Sequence, residues 1–410
     1  MEDHIFVLTQ VVEKSREYNL PLWCVLIDYE KAFDSVEHPM LWKALSDLGV
    51  PLGYIALLKR LYSDQFAYVQ TSVHSRRFSI QRGVRQGDPI SALLFISVME
   101  HIFQKLKLTW RKSNARRKGP EFGIRISATG DTLTNLRFAD DCMLFAQSSS
   151  DAEKMLSAFI STSAEYGLKV HAGKTILMTW DHLARGRNSL TLNGTAFTIL
   201  SETDAERYLG RKLSFHNCHS TELQHRVAAG WAKFQIFKSE LTGPAYSLRS
   251  RLQLFESVIS TTVLFGCCTW ALTKLMTESL DVLRRRMLRY VLRIYQRRDQ
   301  NGMREDWSVY MQRCARLIED YDKKVALTPW ACQLRAQKWR FAGTIARAKD
   351  NRWSNIILDW APCGGRSVGK SCLRWHDDIC AYAGEDWVQF AQDEAAWEHH
   401  CSGFIENFSE

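Results

Sequence analysis

The sequence predicts an α+β fold, in which helices pack against a mixed or antiparallel sheet up to about residue 213. Three observations support this class. In the first half of the chain, short apolar segments of strand character alternate with amphipathic helical segments. Residues 214–300 then become mostly helical and end in an arginine-rich stretch. Residues 301–410 are helical, basic and rich in tryptophan, so we expect three regions, at 1–213, 214–300 and 301–410.

The first predicted elements are a helix over residues 3–18 and a strand over Leu22–Ile27. The continuous apolar sequence of this strand is typical of burial on both faces. Pro39–Leu48 has helical periodicity and is followed by a glycine, a common helix stop. Phe66–Val73 and Arg76–Gln81 alternate as the strands of a hairpin do.

The remaining elements of this region are predicted from caps and turns. They are a long helix opened by Asp88-Pro89 and running to about Leu108, strands over Asn135–Ala139 and Cys142–Ala146, a tight turn at Asp140-Asp141, and a helix begun by a capping box at Ser150–Glu153 and ended by Gly167.

Composition narrows the class of partner. The formal net charge is +9 and 24% of residues are charged, which suits a polyanion such as nucleic acid, although a solvated basic surface would look the same. The eleven cysteines form no paired pattern and no signal peptide is recognised, so we expect a nuclear or cytoplasmic protein. The longest apolar stretch, Val258–Leu272, is short for a membrane span and predicts a buried helix and no membrane partner.

Three acidic residues are candidates for chemistry. Asp28 follows the buried strand and would point into whatever cleft lies at its tip, although a lone acid there is more often a cap or a surface residue. Asp140 and Asp141 are adjacent like charges, which are unfavourable unless cations compensate them. Taken together, the three could hold two Mg²⁺ ions for phosphoryl transfer, with Mn²⁺ as an alternative ion.

A glycine- and arginine-containing loop lies between these acids. In Arg82–Pro89, the glycines let the backbone approach a ligand closely and the arginines suit phosphate. As an isolated signal this loop is weak.

The order of these segments resembles the palm motifs of non-LTR retrotransposon reverse transcriptases. Five segments match in family order: Leu26–Asp34, Gly83–Pro89, Phe138–Asp141, Gly167–Thr175 and Tyr208–Gly210. Further segments resemble the chain downstream of the palm in these elements: Val263–Trp270, Trp339–Arg347 and Arg374–Trp387. The resemblance implies a polymerase-type palm, a helical thumb and a helical basic C-terminal region.

The resemblance also implies residue roles. Asp28, Asp140 and Asp141 would be the catalytic metal ligands. Substrate-binding roles are implied for Phe33, which would exclude the ribose 2′-OH, and for Gln86, Gly87 and Lys174, of which the lysine would assist pyrophosphate departure. Core packing for the phenylalanine and simple solvation for the lysine stay open as alternatives.

The arginine-rich stretch is predicted to be a helix over residues 284–298. This helix would lie along a phosphate backbone, with Arg285, Arg289 and Arg293 as nucleic-acid contacts, although a solvated amphipathic helix is the alternative.

The function implied by the resemblance is RNA-directed DNA polymerase activity, with an RNA template, a DNA primer and deoxynucleoside triphosphates. Only 27 residues precede Asp28, so we expect most of the fingers and the upstream endonuclease to be lacking, and poor polymerisation by this chain. Ala92, Ile96 and His171 depart from the family pattern. The alternative function is therefore a truncated, non-catalytic nucleic-acid-binding remnant of a retroelement; the sequence does not indicate an oligomeric state.

Overall fold

The computed structural model describes residues 1–115, 121–126, 130–184, 186–216, 218–325, 327–362 and 373–407. These residues form two compact units, and their bounds differ from those of the three regions expected from the sequence. The sheet unit contains Lys14–Asp204 and the described part of Ala361–Arg366. The helical unit contains Met1–Glu13, Ala205–Trp360 and the described part of Ser367–Glu410.

The sheet unit contains most of the strands. Its elements are α1 (Glu2–Glu17, which begins in the helical unit), β1 (Leu22–Ile27), α2 (Ala32–Ser35), α3 (His38–Asp47), α4 (Leu52–Tyr62), β2 (Phe66–Ala67), β3 (Phe78–Ser79), α5 (Pro89–Ala115), β4 (Ile124–Arg125), β5 (Thr132–Leu133), β6 (Asn135–Phe138), β7 (Asp141–Ala146), α6 (Ser149–Ala164), β8 (Ile176–Trp180), a 3₁₀ turn (His182–Ala184), β9 (Ser189–Leu192) and β10 (Thr195–Ile199).

The central sheet is mixed, as predicted. Its strand order is β6-β7-β1-β8-β10-β9. β1 is antiparallel to both of its neighbours, whereas β8 and β10 are parallel. Every residue of β1 is buried, which confirms the double-sided burial expected from its apolar sequence. Side chains from α3, α5 and α6, including Leu41, Phe95 and Phe159, share one hydrophobic core with this strand.

Three local predictions in this unit need correction. The turn between β6 and β7 is Ala139-Asp140, because Asp141 already pairs with Phe138 as a strand residue. The cap of α6 is Ser148, which accepts from the Asp151 N–H, so the helix begins before the predicted capping box. The pairing of the 66–81 hairpin is short, since β2 and β3 have two residues each.

The helical unit follows from residue 205. Its elements are β11 (Glu206–Tyr208), β12 (Arg211–Leu213), α7 (Cys218–Ile236), α8 (Lys238–Thr242), α9 (Leu248–Leu254), a π-helical turn (Phe255–Ser260), α10 (Thr261–Val263), a 3₁₀ turn (Cys267–Thr269), α11 (Lys274–Val291), α12 (Trp307–Val325), α13 (Trp330–Ala346), α14 (Trp353–Ile356), a 3₁₀ turn (Ile357–Asp359), α15 (Asp377–Ala383), α16 (Trp387–Phe390), α17 (Glu394–His399) and α18 (Cys401–Asn407).

Tryptophan side chains fill the interior of this unit. Trp270, Trp330, Trp339, Trp375 and Trp397 are all almost completely buried. The indole N–H groups of Trp339 and Trp397 each donate to the backbone carbonyl of the other residue, and their rings stack with centroids 3.7 Å apart. The tryptophan-rich sequence of this region therefore serves packing.

A second acidic doublet, Asp377-Asp378, makes structural contacts in the helical unit. The carboxylate of Asp378 pairs with the buried ammonium of Lys338 at 2.7 Å. A side-chain oxygen of Asp377 accepts from the backbone N–H of Arg374 at 2.8 Å.

The prediction of one helix over residues 284–298 is wrong. α11 ends at Val291, and Arg293 has a φ of 57° in the left-handed region. The N–H of Ile294 donates to the carbonyl of Arg289, and the N–H of Arg293 donates to that of Tyr290. These two bonds are a Schellman motif, which ends a helix by reversing the chain direction.

In the described part of the chain, one helical segment, Leu248–Thr269, is long and apolar enough to span a membrane. About half of its apolar window, 56%, is buried inside the protein. Leu252, Phe255, Ile259 and Val263 of this segment belong to the core of the helical unit. Burial of this kind is typical of a core helix, which passes the same length and hydropathy criteria.

Candidate polymerase active site

The backbone of Asp28 is held from both sides in the sheet unit. It directly follows β1, and the pairing of Ile27 with Cys142 brings it opposite Asp141 in the next strand. On the other side, the Asp28 N–H lies 3.3 Å from the hydroxyl oxygen of Thr175, and its carbonyl accepts from the His171 N–H at 2.8 Å. These contacts fix where the Asp28 carboxylate leaves the sheet.

The β6–β7 hairpin supplies the other two acids. Its two-residue loop places Ala139 at a φ of 54°, and Asp140 follows in the loop. Asp141 opens β7 and stays exposed, whereas Cys142 beside it is buried. Because β7 pairs with β1, the hairpin tip and the end of β1 lie at the same edge of the sheet.

The three carboxylates interact electrostatically. Partial removal from water raises the pKa of Asp141, and the charges of Asp140 and Asp28 raise it further. In the described ranges, none of the three has a Lys, Arg or His partner within the 4.0 Å of an ion pair. Repulsion among the three carboxylates would be relieved by an external cation.

The donor chemistry of this edge suits Mg²⁺. Carboxylate oxygens are its preferred protein ligands, and it usually binds through one or two of them while keeping waters and substrate phosphates. Among the described residues, no group of three His, Cys, Asp or Glu side chains is placed to hold a metal ion by itself. An ion bound at this edge would therefore need further ligands from water or substrate.

Phe33 follows Asp28 along the chain and lies on the short helix α2. It is half-buried, and its ring stacks on Phe95 with centroids 4.6 Å apart and an interplanar angle of 20°. The Val84 N–H donates to the Phe33 carbonyl at 2.7 Å, which joins the first acidic segment to the glycine loop. Phe33 thus combines core packing on one face with an exposed part, so both of its expected roles remain compatible with its position.

The glycine loop approaches α2 closely. Gly83 has a φ of 90°, and a Cβ there would lie 2.8 Å from the carbonyl oxygen of Asp34. The carbonyl of Gly83 lies 2.9 Å from a ring nitrogen of His38. Glycine is required at this position because the backbone has a positive φ and because a Cβ would be too close to Asp34.

An open cleft of about 950 Å³ lies along this loop. Its lining includes Asp34, Arg82, Arg85 and Gln86, but none of the three candidate metal ligands. The amide of Gln86 donates to the Asp34 carboxylate at 3.3 Å. No carboxylate of the described chain forms an ion pair with Arg82 or Arg85, although the guanidinium of Arg85 donates to the Leu61 carbonyl at 3.2 Å. The positive charges of both arginines are therefore not balanced by an acid of the described chain.

The other predicted substrate-binding residues are exposed. Gly87 has a φ of 88°, with no atom near the position that its Cβ would occupy. Lys174 is exposed in the turn that carries His171, and its backbone N–H donates to the His171 carbonyl. This turn contacts Asp28 through the backbone of His171, so the departure from the family pattern at that position leaves the contact intact.

The three predicted nucleic-acid-binding arginines do not share one helix face. Arg285 is exposed on α11 and donates to the carbonyl of Asp281. Arg289 lies one turn later, with a guanidinium nitrogen 3.1 Å from the sulfur of Met311. Arg293 lies beyond the helix end.

Two residues of the site were missed from the sequence. Thr175 fixes the Asp28 backbone, and Asp34 connects Gln86 to α2. Thr175 is the last residue of the fourth motif and Asp34 is the last of the first, but a motif does not reveal which side chain hydrogen-bonds to which.

The fifth motif, Tyr208–Gly210, forms the β11–β12 hairpin of the helical unit, with Leu209 and Gly210 both at positive φ.

Comparison with known proteins decides the family. The pattern described as "Reverse transcriptase (RNA-dependent DNA polymerase)" matches residues 4–213, just over half of the chain. The chain belongs to the reverse transcriptase family. The carboxylates, the glycine loop and most of the sheet unit lie within the matched residues.

The relatives are retrotransposon proteins. A transposon-derived protein of Caenorhabditis elegans is 31% identical over 255 residues, which cover 61% of this chain and 85% of that protein. The Pol polyprotein of the R2DM element of Drosophila melanogaster is 26% identical over 51% of this chain. The RNA-directed DNA polymerase of the jockey element of Drosophila funebris is 24% identical over 65% of this chain. These relatives confirm a reverse transcriptase region of the non-LTR type.

The chain is much shorter than the full retrotransposon polyproteins. It spans 19% of the R2DM polyprotein and 28% of the jockey polymerase.

Among solved structures, the apo telomerase of Candida tropicalis is similar over 97% of this chain and 56% of that one, with 13% identity and a TM-score of 0.39.

Proposed function

We propose that this reverse transcriptase chain acts as an RNA-directed DNA polymerase, adding deoxynucleotides to the 3′-OH of a DNA primer on an RNA template. The observation that carries this proposal is the group of Asp28, Asp140 and Asp141. Three carboxylates from two paired strands lie at one sheet edge, where partial removal from water and the charges of Asp140 and Asp28 raise the pKa of Asp141. No Lys, Arg or His of the described residues forms an ion pair with them. In a protein that bound no cation here, we would expect these like charges to be paired with basic side chains or placed apart.

Two Mg²⁺ ions are the proposed cofactor, and the three aspartates are the residues that would hold them. When bound, these ions stabilise the charge on the attacking and leaving oxygens of an in-line displacement. Catalysis of phosphoryl transfer otherwise depends on positioning and on charge stabilisation, which the chain must supply from its own side chains.

The residues of the cleft supply the proposed positioning. The guanidinium groups of Arg82 and Arg85, which form no ion pair among the described residues, suit the phosphates of a nucleotide or of the template. Gln86 and Gly87 would contact the nucleotide on the same side, and the exposed part of Phe33 would occupy the space of a ribose 2′-OH. The ammonium of Lys174, in the turn that contacts Asp28, would balance the charge of the departing pyrophosphate.

Nucleic-acid binding is proposed to use the basic helical unit as well. Arg285, Arg289 and Arg293 are retained as phosphate contacts, although they belong to two elements. We also propose a nuclear or cytoplasmic setting, because the nine described cysteines are all free thiols.

The experiment is primer extension on an RNA template with Mg²⁺, beside a binding titration of the same primer–template. Asp28→Asn and Asp140→Asn should each reduce the rate of extension by roughly 100-fold or more, because each variant loses a metal ligand. The affinity for primer–template should stay within about twofold of the wild type. Asp204→Asn is the matched control, since Asp204 is exposed and its carboxylate accepts from Ser201 N–H at a turn. A wild-type rate of primer extension in either active-site variant would contradict the proposal.

The alternative function has its own outcome in this experiment. A wild-type chain that binds primer–template but extends it no better than Asp28→Asn would be a non-catalytic nucleic-acid-binding remnant. Extension that depends on both aspartates would exclude that alternative.

A further inference from the structure

A second basic site lies in the helical unit, where the chain reverses between α11 and α12. A concave pocket of about 700 Å³ is lined by the end of α11, the connecting segment and the start of α12. We call it the arginine pocket. Its lining residues are Arg286, Arg289, Tyr290, Ile294, Tyr295, Gln296, Arg298, Arg304, Trp307 and Tyr310.

The connecting segment that forms one wall of the pocket is held by internal hydrogen bonds. Arg298 and Arg304 face each other as an antiparallel bridge, and the carboxylate of Asp299 accepts from the N–H groups of Asn301 and Met303. The amide of Gln296 donates to the carbonyl of Glu305 at 3.1 Å. The hydroxyl of Tyr310 donates to the carbonyl of Ile294 at 3.0 Å and closes the floor. The pocket is therefore a built concavity rather than a gap beside a loose loop.

Four arginines of the pocket lack acidic partners. Within the described chain, no carboxylate lies within 4.0 Å of the guanidinium groups of Arg286, Arg289, Arg298 and Arg304. Two other arginines of the same region are paired: Arg284 binds Asp322 through two bonds of 2.7 and 2.8 Å, and Arg313 binds Glu305 at 2.6 Å. Carboxylates therefore balance the charges of Arg284 and Arg313, whereas none in the described chain is paired with the four arginines of the pocket.

The nearby acids do not offset this charge. The Arg313 guanidinium lowers the pKa of Glu305 to about 2, so Glu305 is ionised and already matched by that arginine. Asp306 accepts from the N–H and hydroxyl of Ser308 at the start of α12, which leaves its negative charge in place. Asp299 in the connecting segment is a second carboxylate. The four arginines of the pocket outnumber these two acids, so the net charge around the pocket is positive and suits an anion.

Large aromatic rings are exposed at the same pocket. Tyr290, Tyr295 and Trp307 are 45%, 59% and 59% exposed. In contrast, the tryptophans of the core of this unit are almost completely buried. Exposed rings clustered in a concave site beside guanidinium groups are typical of a surface that binds a ligand with both planar and anionic parts.

We propose that the arginine pocket binds unpaired nucleotides of a single-stranded nucleic acid, with bases stacked on Trp307 and Tyr295 and phosphates on Arg298 and Arg304. A nucleotide carries a planar base and a phosphate within one residue, which matches the pairing of rings and guanidinium groups. A duplex presents phosphates but keeps its base faces stacked, and an acidic peptide leaves the rings unused. This proposal goes beyond the polymerase function, because the pocket belongs to the helical unit and binding there requires neither a metal ion nor a catalytic step.

The test is fluorescence anisotropy with the full chain and three labelled probes of one sequence: single-stranded RNA, single-stranded DNA and duplex RNA. Trp307→Ala should weaken binding of the single strands by about 5- to 100-fold, because stacking on one ring contributes in this range. Trp307→Phe, which keeps an aromatic face, should restore most of the affinity. Duplex binding should change by less than about twofold.

The arginines are tested through salt dependence. Arg298→Ala and Arg304→Ala should each reduce the slope of log affinity against log salt by about 0.7 for single strands. Arg316→Ala is the matched control, because Arg316 is exposed on the same helix as Trp307 and lies outside the pocket. Equal weakening by the control would mean that general basic charge, and not the pocket, binds the strand.

Several results would overturn the proposal. They are unchanged single-strand affinity in Trp307→Ala, failure of Trp307→Phe to rescue, or equal losses for duplex and single strands. Loss of RNA binding alone would identify RNA as the ligand, and equal losses for RNA and DNA would identify any single strand. These binding measurements use neither Mg²⁺ nor deoxynucleotides, so failure of this proposal is separate from failure of the polymerase proposal.

Discussion

At the residue scale, Phe33 combines observed core packing with a proposed role in excluding the ribose 2′-OH. Its ring stacks on Phe95 and also remains partly exposed. Phe33→Ala should raise the ratio of ribonucleotide to deoxynucleotide incorporation by 10-fold or more, on the order expected when a steric contact is removed. Phe33→Tyr, which keeps the ring, should stay near the wild-type ratio. An unchanged ratio in the alanine variant would show that Phe33 serves packing alone.

The carboxylate of Asp141 has a consequence for stability. Its raised pKa means that the folded protein holds this proton more tightly than the unfolded chain does. This contribution to stability is present below the ordinary carboxyl pKa of about 3.9 and is lost as pH rises through the raised pKa. Asp141→Asn without metal should therefore raise the melting temperature at pH 7, by a small amount on the order of 1 °C.

Two comparisons make this measurement decisive. The gain from Asp141→Asn should disappear as the pH falls below about 4, because the wild-type carboxyl is then protonated as well. Adding Mg²⁺ should stabilise the wild type more than the variant. A variant that is less stable than the wild type at pH 7 without metal would contradict the repulsion among the three aspartates.

At the element scale, the sequence predicts the ends of helices where the terminating residue is glycine or asparagine. α3 and α6 end with Gly49 and Gly167 at positive φ, and α1 ends with Asn19 in the same conformation. These residue types tolerate the left-handed region, so the sequence carries the signal. Gly167 is also required by space, since a Cβ there would lie 2.4 Å from the carbonyl oxygen of Ser35.

The end of α11 shows why other boundaries were missed. The residue in the left-handed conformation is Arg293, which has good helix propensity, so nothing local predicts a stop. Burial of Ile294 in the core of the helical unit accompanies the reversal of the chain. The metal-ligand candidates could be predicted because their motifs are contiguous. The arginine pocket could not, because it depends on where α11 ends.

Glycine substitutions on either side of this helix end should have opposite effects. Arg293→Gly should stabilise the protein by about 1 kcal/mol, because a side chain in the left-handed region is strained. Arg285→Gly, in the middle of α11, should destabilise it by about 1 kcal/mol, because glycine is a poor helix former. Urea unfolding measures both. Effects of the same sign would mean that the end of α11 is not at Val291.

At the scale of the whole molecule, each compact unit has a hydrophobic core of its own. The core of the sheet unit is built around β1 and α5, and that of the helical unit around α11, α13 and the segment 248–263. Chains with separate cores commonly depart from two-state unfolding. The aspartates belong to the sheet unit, whereas the Lys338–Asp378 pair belongs to the helical unit.

Calorimetry of the full chain should therefore show more than one transition. Mg²⁺ should raise the transition of the sheet unit, and Lys338→Met should lower that of the helical unit. The methionine leaves Asp378, which is only 16% exposed, without its cation, at a cost of about 3–5 kcal/mol. Lys323→Met is the control, because Lys323 and Glu319 form an exposed pair on α12 that contributes little. A single transition that responds as one to both changes would show that the two cores unfold together.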